Sequence, residues 1–175
     1  MKELLLDQVI FVPAHVSPFK QEKTGTAAGL HRLEMLRLAL EDMPRMSVSD
    51  YEMTQAAVSY TVYTLRHFRQ LYPRAQLVLL MGSDMLLSFD RWYCWQELMR
   101  LAELGCVART PEDAEKMTVQ AENLSAYGSV RIFCEEILPM SSTKIRQLLK
   151  KGEDCSCYLP KKVVQYIGTH HLYSE

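Results

Sequence analysis

The sequence predicts an α/β protein, a mostly parallel sheet with helices on both faces. Two observations carry that expectation. Short apolar runs alternate with longer amphipathic ones, and strand–helix alternation of this kind implies parallel strands joined by right-handed crossovers. The bulk agrees: 175 residues, 48% hydrophobic and 23% charged, suit one compact domain over residues 1–175, with neither internal repeats nor low-complexity linkers.

The strands are expected at Gln8–Pro13, Met46–Tyr51, Gln76–Met81, Leu104–Ala108 and Val130–Phe133. Helical patterns fall between and after them. Leu30, Leu33, Leu36 and Leu40 recur at helical spacing until Pro44 stops the run, and Val62, Leu65, Phe68 and Leu71 do the same up to Pro73. Ile145, Leu148 and Leu149 form a third stripe up to Gly152, and a last helix opens at Pro160 and runs to about Gly168.

Composition narrows the function classes. A formal net charge of −1 supplies no global basic field, so no nucleic-acid partner is expected and any phosphate recognition is local. The five cysteines are odd in number and lack a repeated C-x-x-C, which suggests neither a disulfide framework nor a zinc site. Cys106 and Cys134 lie in apolar runs, where a buried thiol acts as a small hydrophobe. No apolar run approaches the roughly 20 residues of a membrane span. M-K-E-L-L-L-D is too short and acidic for a signal peptide, so the expectation is a cytoplasmic protein with no membrane partner. The oligomeric state is left open, a homo-oligomer included.

In parallel α/β sheets ligands bind beyond the carboxyl ends of the strands, which shortens the search for function. After the first strand, P-A-H-V-S-P-F-K-Q-E-K forms a loop stiffened by two prolines that can hold Lys20 toward an anion. After the second, S-Y-T opens a helix that Ser59 or Thr61 would cap, and its unpaired amides can receive a planar anionic group. The third ends in Gly82-Ser83-Asp84: glycine admits a ligand to the backbone, and the acid either caps a helix or accepts hydrogen bonds from ribose hydroxyls. Nearby, F-D-R-W-Y-C-W offers Trp92, Tyr93 and Trp95, of which a ring at the rim can stack on a heterocycle. The fourth strand delivers Arg109 directly at its end. The fifth leads to M-S-S-T-K-I-R, where Ser142 or Thr143 would cap a helix whose positive end is flanked by Lys144 and Arg146.

Taken in order, V-I-F-V-P-A-H-V-S-P-F-K, H-R-L-E-M-L-R-L-A-L, S-D-Y-E-M, S-Y-T-V-Y-T-L, L-L-M-G-S-D-M-L-L-S-F-D-R-W-Y, V-A-R-T, M-S-S-T-K-I-R and Y-L-P-K-K-V-V-Q-Y-I resemble the bacterial nicotinate-nucleotide adenylyltransferases over almost the whole chain. The resemblance implies a Rossmann-like nucleotidyltransferase fold. It also implies a reaction in NAD biosynthesis: nicotinate mononucleotide and ATP, with magnesium, give nicotinic acid adenine dinucleotide and pyrophosphate. By the same resemblance Ser142, Thr143 and Arg146, with Ser141 beside them, hold the ATP phosphates. Gly82 and Asp84 receive the adenosine and its ribose, and Arg109 matches the arginine after the fourth strand. Thr61 and Tyr60, with the backbone around Trp92 and Tyr93, match the pocket for the nicotinate ring and carboxylate. Lys20 matches a lysine near the phosphates, and with Arg146 it would serve catalysis by neutralising charge, with no protein nucleophile. V-A-R-T departs from the family pattern in lacking a glycine or second proline nearby.

The family also carries G-[ST]-F-[ND]-P-x-H-x-G-H after its first strand, and this sequence has none of it. The chain opens at Met1 in what resembles the end of the first family helix, so the first strand and most of that helix are missing. His15 is no substitute, because it follows the second family strand. The expectation is a destabilised domain with little catalysis, read first as an incomplete start of an active enzyme. The alternatives are an inactive nucleotide-binding remnant and a chain completed by another polypeptide. Within enzymes the runner-up is a phosphopantetheine adenylyltransferase of the same fold.

Overall fold

The computed structural model describes residues 4–15, 27–55, 58–134 and 140–174. The chain divides into two compact units, residues 1–59 with 139–175, and residues 60–138. Both are built of parallel strands and helices, as the alternation predicts.

In the first unit β1 (Val9–Phe11) pairs in parallel with β2 (Met46–Val48), Ile10 lying opposite Ser47. Helix α1 (Gly29–Leu40) makes the crossover between them. Both strands are shorter than expected. Ser49 N still donates to Phe11 O, but the chain then turns at Asp50 into α2 (Tyr51–Thr54), so Tyr51 begins a helix rather than ending a strand. The leucine stripe of α1 buries Leu33, while Leu30 in the first turn stays 77% exposed. Helix α1 also meets α8 (Lys161–Thr169), whose Val163 and Ile167 are buried. Pro160 is the cap of α8 and precedes its first turn. His31 Nδ1 and the Tyr166 hydroxyl are 2.9 Å apart, and the His170 ring packs on both side chains.

Helix α7 (Ser142–Lys150) ends in a closed turn. Gly152 adopts φ +70°, Glu153 N donates to Leu148 O and Gly152 N to Leu149 O, so the last carbonyls are satisfied by the chain that follows.

The second unit holds a three-stranded parallel sheet in the order β3 (Val78–Gly82), β4 (Glu103–Ala108), β5 (Val130–Cys134). Its helices are α3 (Thr61–Leu71), α4 (Ser83–Leu86), α5 (Trp95–Leu101) and α6 (Pro111–Leu124), with a 3-10 turn at Phe89–Arg91. Its core gathers Val62 and Leu65 of α3, Met81, Leu86, Phe89, Leu98, Leu104, Cys106, Met117 and Leu124. Helix α6 presents Ala114, Met117, Ala121 and Leu124 on one face, a helical spacing present in the sequence though outweighed by polar residues.

The starts of the three strands are tied by one carboxylate. Glu103 accepts from Gln76 Nε2 at 2.9 Å, Ser129 Oγ at 3.2 Å and Arg131 Nη2 at 2.6 Å, with Arg131 Nε also 2.6 Å from it. All five cysteines are free; Cys106 is buried as expected, but Cys134, the last residue of β5, is exposed. No helix among the described residues is long and apolar enough to cross a membrane.

Candidate active site

Three groups of side chains stand at the places the sequence singles out. The first is the turn after β3. Gly82 ends the strand and stands as the cap of α4, with no side-chain cap, so Asp84 lies inside the first turn rather than capping it. A methyl group on Gly82 would lie 3.2 Å from Asp84 Oδ1 and 3.7 Å from Arg109 Nη2. The carboxylate and the guanidinium thus flank the same glycine, both of them exposed. The pairing follows from register: Gly82 lies opposite Val107, so Arg109, two residues on, emerges beside the turn.

Arg109 in turn leads into α6. Thr110 Oγ1 accepts from Asp113 N at 3.1 Å, with Pro111 first in the helix. This is the cap pattern T-x-x-D. Asp113 also accepts from Ser83 Oγ at 3.1 Å, and Ser83 is buried. Sequence reasoning missed this pair, although T-P-E-D marks the helix start.

The second group surrounds the start of α3. Thr61 is its first residue and the cap is Tyr60, whose side chain makes no cap bond. Ser59, expected as a cap, instead accepts from His15 N at 3.0 Å. The Tyr60 and Tyr93 rings are 4.8 Å apart, and Tyr63 lies 6.2 Å from each. Tyr93 is 52% exposed, the rim ring of the aromatic stretch, whereas Trp92 packs on Phe89 and Trp95 on Tyr127. A hydrogen bond with Tyr63, then the neighbouring Cys94, pushes the Tyr93 phenol up to about 12. A tyrosine phenol is neutral at physiological pH in any case, so the shift leaves Tyr93 presenting no charge to a ligand. Cys94 adopts φ +54° and turns the chain from the 3-10 turn into α5.

The third group opens α7. Its cap is Ser141, which accepts from Lys144 N at 3.2 Å; neither Ser142 nor Thr143 is the cap. The first helical bond runs from Ile145 N to Ser141 O. The amides of Ser142 and Thr143 have no hydrogen-bond partner among the described residues, and two aligned amides at a helix start suit an anion. Arg146 Nη2 lies 3.4 Å from Thr143 Oγ1, which keeps a guanidinium on the same turn. Lys20 lies outside the described residues. Among the described residues no three His, Cys, Asp or Glu side chains converge to hold a metal ion.

The cytidylyltransferase-like family matches residues 1–148, which defines the class of the chain. A protein of Clostridium botulinum (strain Kyoto / Type A2) named "probable nicotinate-nucleotide adenylyltransferase" is 34% identical over 171 residues, 96% of this chain and 85% of its own. A protein of Cellvibrio japonicus with the same name is 35% identical over 185 residues, covering 98% and 87%. The chain belongs to the nicotinate-nucleotide adenylyltransferase family. The fold agrees. A Plasmodium falciparum nicotinic acid mononucleotide adenylyltransferase complexed with NaAD superposes with TM-score 0.72 at 16% identity, covering 97% of this chain and 83% of that one. A Vibrio parahaemolyticus structure described as a nicotinate-nucleotide adenylyltransferase gives TM-score 0.64 at 20% identity, covering 99% and 84%.

Proposed function

We propose that this chain transfers the adenylyl group of ATP to nicotinate mononucleotide, releasing pyrophosphate and forming nicotinic acid adenine dinucleotide for NAD biosynthesis. The observation that carries the reading is the 34–35% identity to curated relatives of that name over nearly the whole chain. The family match spans residues 1–148, parts of both compact units. A cytoplasmic setting fits a chain that works on free nucleotides.

The chemistry needs alignment more than reactive side chains. A phosphate oxygen of the mononucleotide attacks the α-phosphorus of ATP in line, the bond to the bridging oxygen breaks, and pyrophosphate leaves with the electron pair. In this reading the Ser142 and Thr143 amides and Arg146, with Ser141 fixing the turn, take the phosphates as charge grows on them. Gly82 lets the adenosine approach the backbone, Asp84 accepts from the ribose hydroxyls, and Arg109 answers negative charge beside them. Thr61 and the Tyr60 and Tyr93 rings receive the nicotinate ring and carboxylate, with the backbone around Trp92. Lys20 belongs to the phosphate side by resemblance. Magnesium would enter as an ion carried by ATP, offsetting phosphate charge.

The test is pyrophosphate release, with the family's G-[ST]-F-[ND]-P-x-H-x-G-H segment supplied upstream of Met1, from ATP and, in turn, nicotinate mononucleotide, nicotinamide mononucleotide and phosphopantetheine. Release with nicotinate mononucleotide, falling about 10²-fold or more in Arg146→Ala, is expected. Release only with phosphopantetheine, or ATP binding without release from any acceptor, would overturn the assignment.

A further inference from the structure

We infer that Asp113 is a positioning residue for the nucleotide, acting through the Ser83 hydroxyl to hold Gly82 and Asp84 in place beside Arg109. The inference rests on the reading of Gly82, Asp84 and Arg109 as the adenosine side of the site.

Three observations support it. Ser83 stands between Gly82 and Asp84, is only 6% exposed, and its hydroxyl donates to Asp113 Oδ2 at 3.1 Å. Asp113 in turn is anchored through its own amide to Thr110 Oγ1 at 3.1 Å, and Thr110 directly follows Arg109. The route from the carboxylate on one side of the glycine to the guanidinium on the other therefore passes through two hydrogen bonds, from the Ser83 hydroxyl to the Asp113 carboxylate and from the Asp113 backbone amide to Thr110 Oγ1. The strand pairing alone sets β3 and β4 side by side only as far as Gly82 and Val107. Beyond the ladder, where α4 also packs on α6 and β4, this relay adds a polar tie between the two turns.

A carboxylate suits the role on two counts. A buried hydroxyl needs an acceptor, and leaving it without one costs more than the bond itself is worth. Asp113 lies in the first turn of α6, where the helix end favours a negative charge. Its side chain is only half-buried, so water keeps the charge tolerable and the carboxylate needs no cationic partner. Helix α4 is just one turn, Ser83–Leu86, with no side-chain cap of its own. The Ser83 bond thus supplies the orientation that a longer helix would draw from its own ladder.

The variants Asp113→Ala, Asp113→Asn and Ser83→Ala separate positioning from bulk stability, because an Asn side-chain oxygen can still accept from Ser83. Calorimetry with ATP and magnesium, and separately with nicotinate mononucleotide, reads the effect, alongside KM and kcat for both substrates. Asp113→Ala and Ser83→Ala should each weaken ATP about tenfold, with mononucleotide affinity and kcat within about threefold. Their double variant should be no worse than either single one, and Asp113→Asn should stay within about threefold of the parent for ATP. If Asp113→Ala lowers the melting temperature but leaves ATP affinity intact, or if Asp113→Asn loses as much as Asp113→Ala, the inference is overturned while the function stands. If the parent chain does not bind ATP at all, both fall together.

Discussion

Gly82→Ala separates folding from nucleotide binding at one carbon atom. Gly82 has φ −90° and ψ 175°, extended backbone open to any L-residue, so the exchange introduces no torsional strain. The new methyl would meet Asp84 Oδ1 at 3.2 Å, tighter than an ordinary contact, and Arg109 Nη2 at 3.7 Å. An exposed carboxylate can yield by a few tenths of an ångström, while the lost glycine entropy of the unfolded chain favours alanine by about 0.4–1 kcal/mol. Net stability should therefore move by no more than about 1 kcal/mol. Binding is different, because the methyl occupies the ground between carboxylate and guanidinium where the nucleoside is proposed to lie. A hydrogen bond to a charged group contributes about 1.5–3 kcal/mol, so misplacing the one to Asp84 should weaken ATP by about 10- to 100-fold. Urea unfolding and ATP calorimetry on the same preparation measure both quantities. ATP affinity within twofold of the parent, in a normally folded variant, would refute the placement of the nucleoside over Gly82.

Two further expectations concern stability. Burial pushes the Cys106 thiol up to about 12, well above the ordinary thiol range, so the unfolded chain loses that proton first. The stabilisation is complete below about pH 9 and is lost as pH rises toward 12, at up to about 1.4 kcal/mol per pH unit for one proton. Urea midpoints measured from about pH 8 to pH 10 should fall, and Cys106→Ala should flatten that fall at a cost of about 1 kcal/mol throughout. Gly152 holds φ +70° with nothing within 4 Å of its would-be side chain, so Gly152→Ala should cost about 1–2 kcal/mol from backbone conformation alone. A melt that does not shift would mean that the turn after α7 relaxes without penalty.

The parts of the fold that could be read in advance share a physical basis. α1, α3 and α8 carry apolar residues at helical spacing bounded by Pro or Gly, and each formed within a residue or two of its expected limits. α6 escaped notice because Glu112, Asp113, Glu115, Lys116, Gln120, Glu122 and Asn123 outnumber its buried Met117 and Leu124. Caps were read less well than helices: Ser141 rather than its hydroxyl neighbours took the capping position, since adjacent serines and threonines are equivalent until the backbone chooses its first helical torsion. The break at Cys94 left no trace, because a cysteine at positive φ is imposed by packing rather than by its own preference. The α7 turn was legible because hydroxyls and cations share one local stretch. The bond between Ser83 and Asp113 was not, since only the pairing of β3 with β4 brings those residues together.

The Glu103 cluster gives the three-stranded sheet a polarity of tolerance to change. One carboxylate gathers Gln76, Ser129 and Arg131 where the strands begin, while Gly82, Asp84 and Arg109 stand where they finish. Replacements at the finishing end leave the side-chain bonds at the beginning untouched, so that end can change without altering how the strand starts are tied. Glu103 has less freedom: an exchange there removes the side-chain ties to Gln76, Ser129 and Arg131 at once, leaving the backbone ladders alone to hold the strand starts.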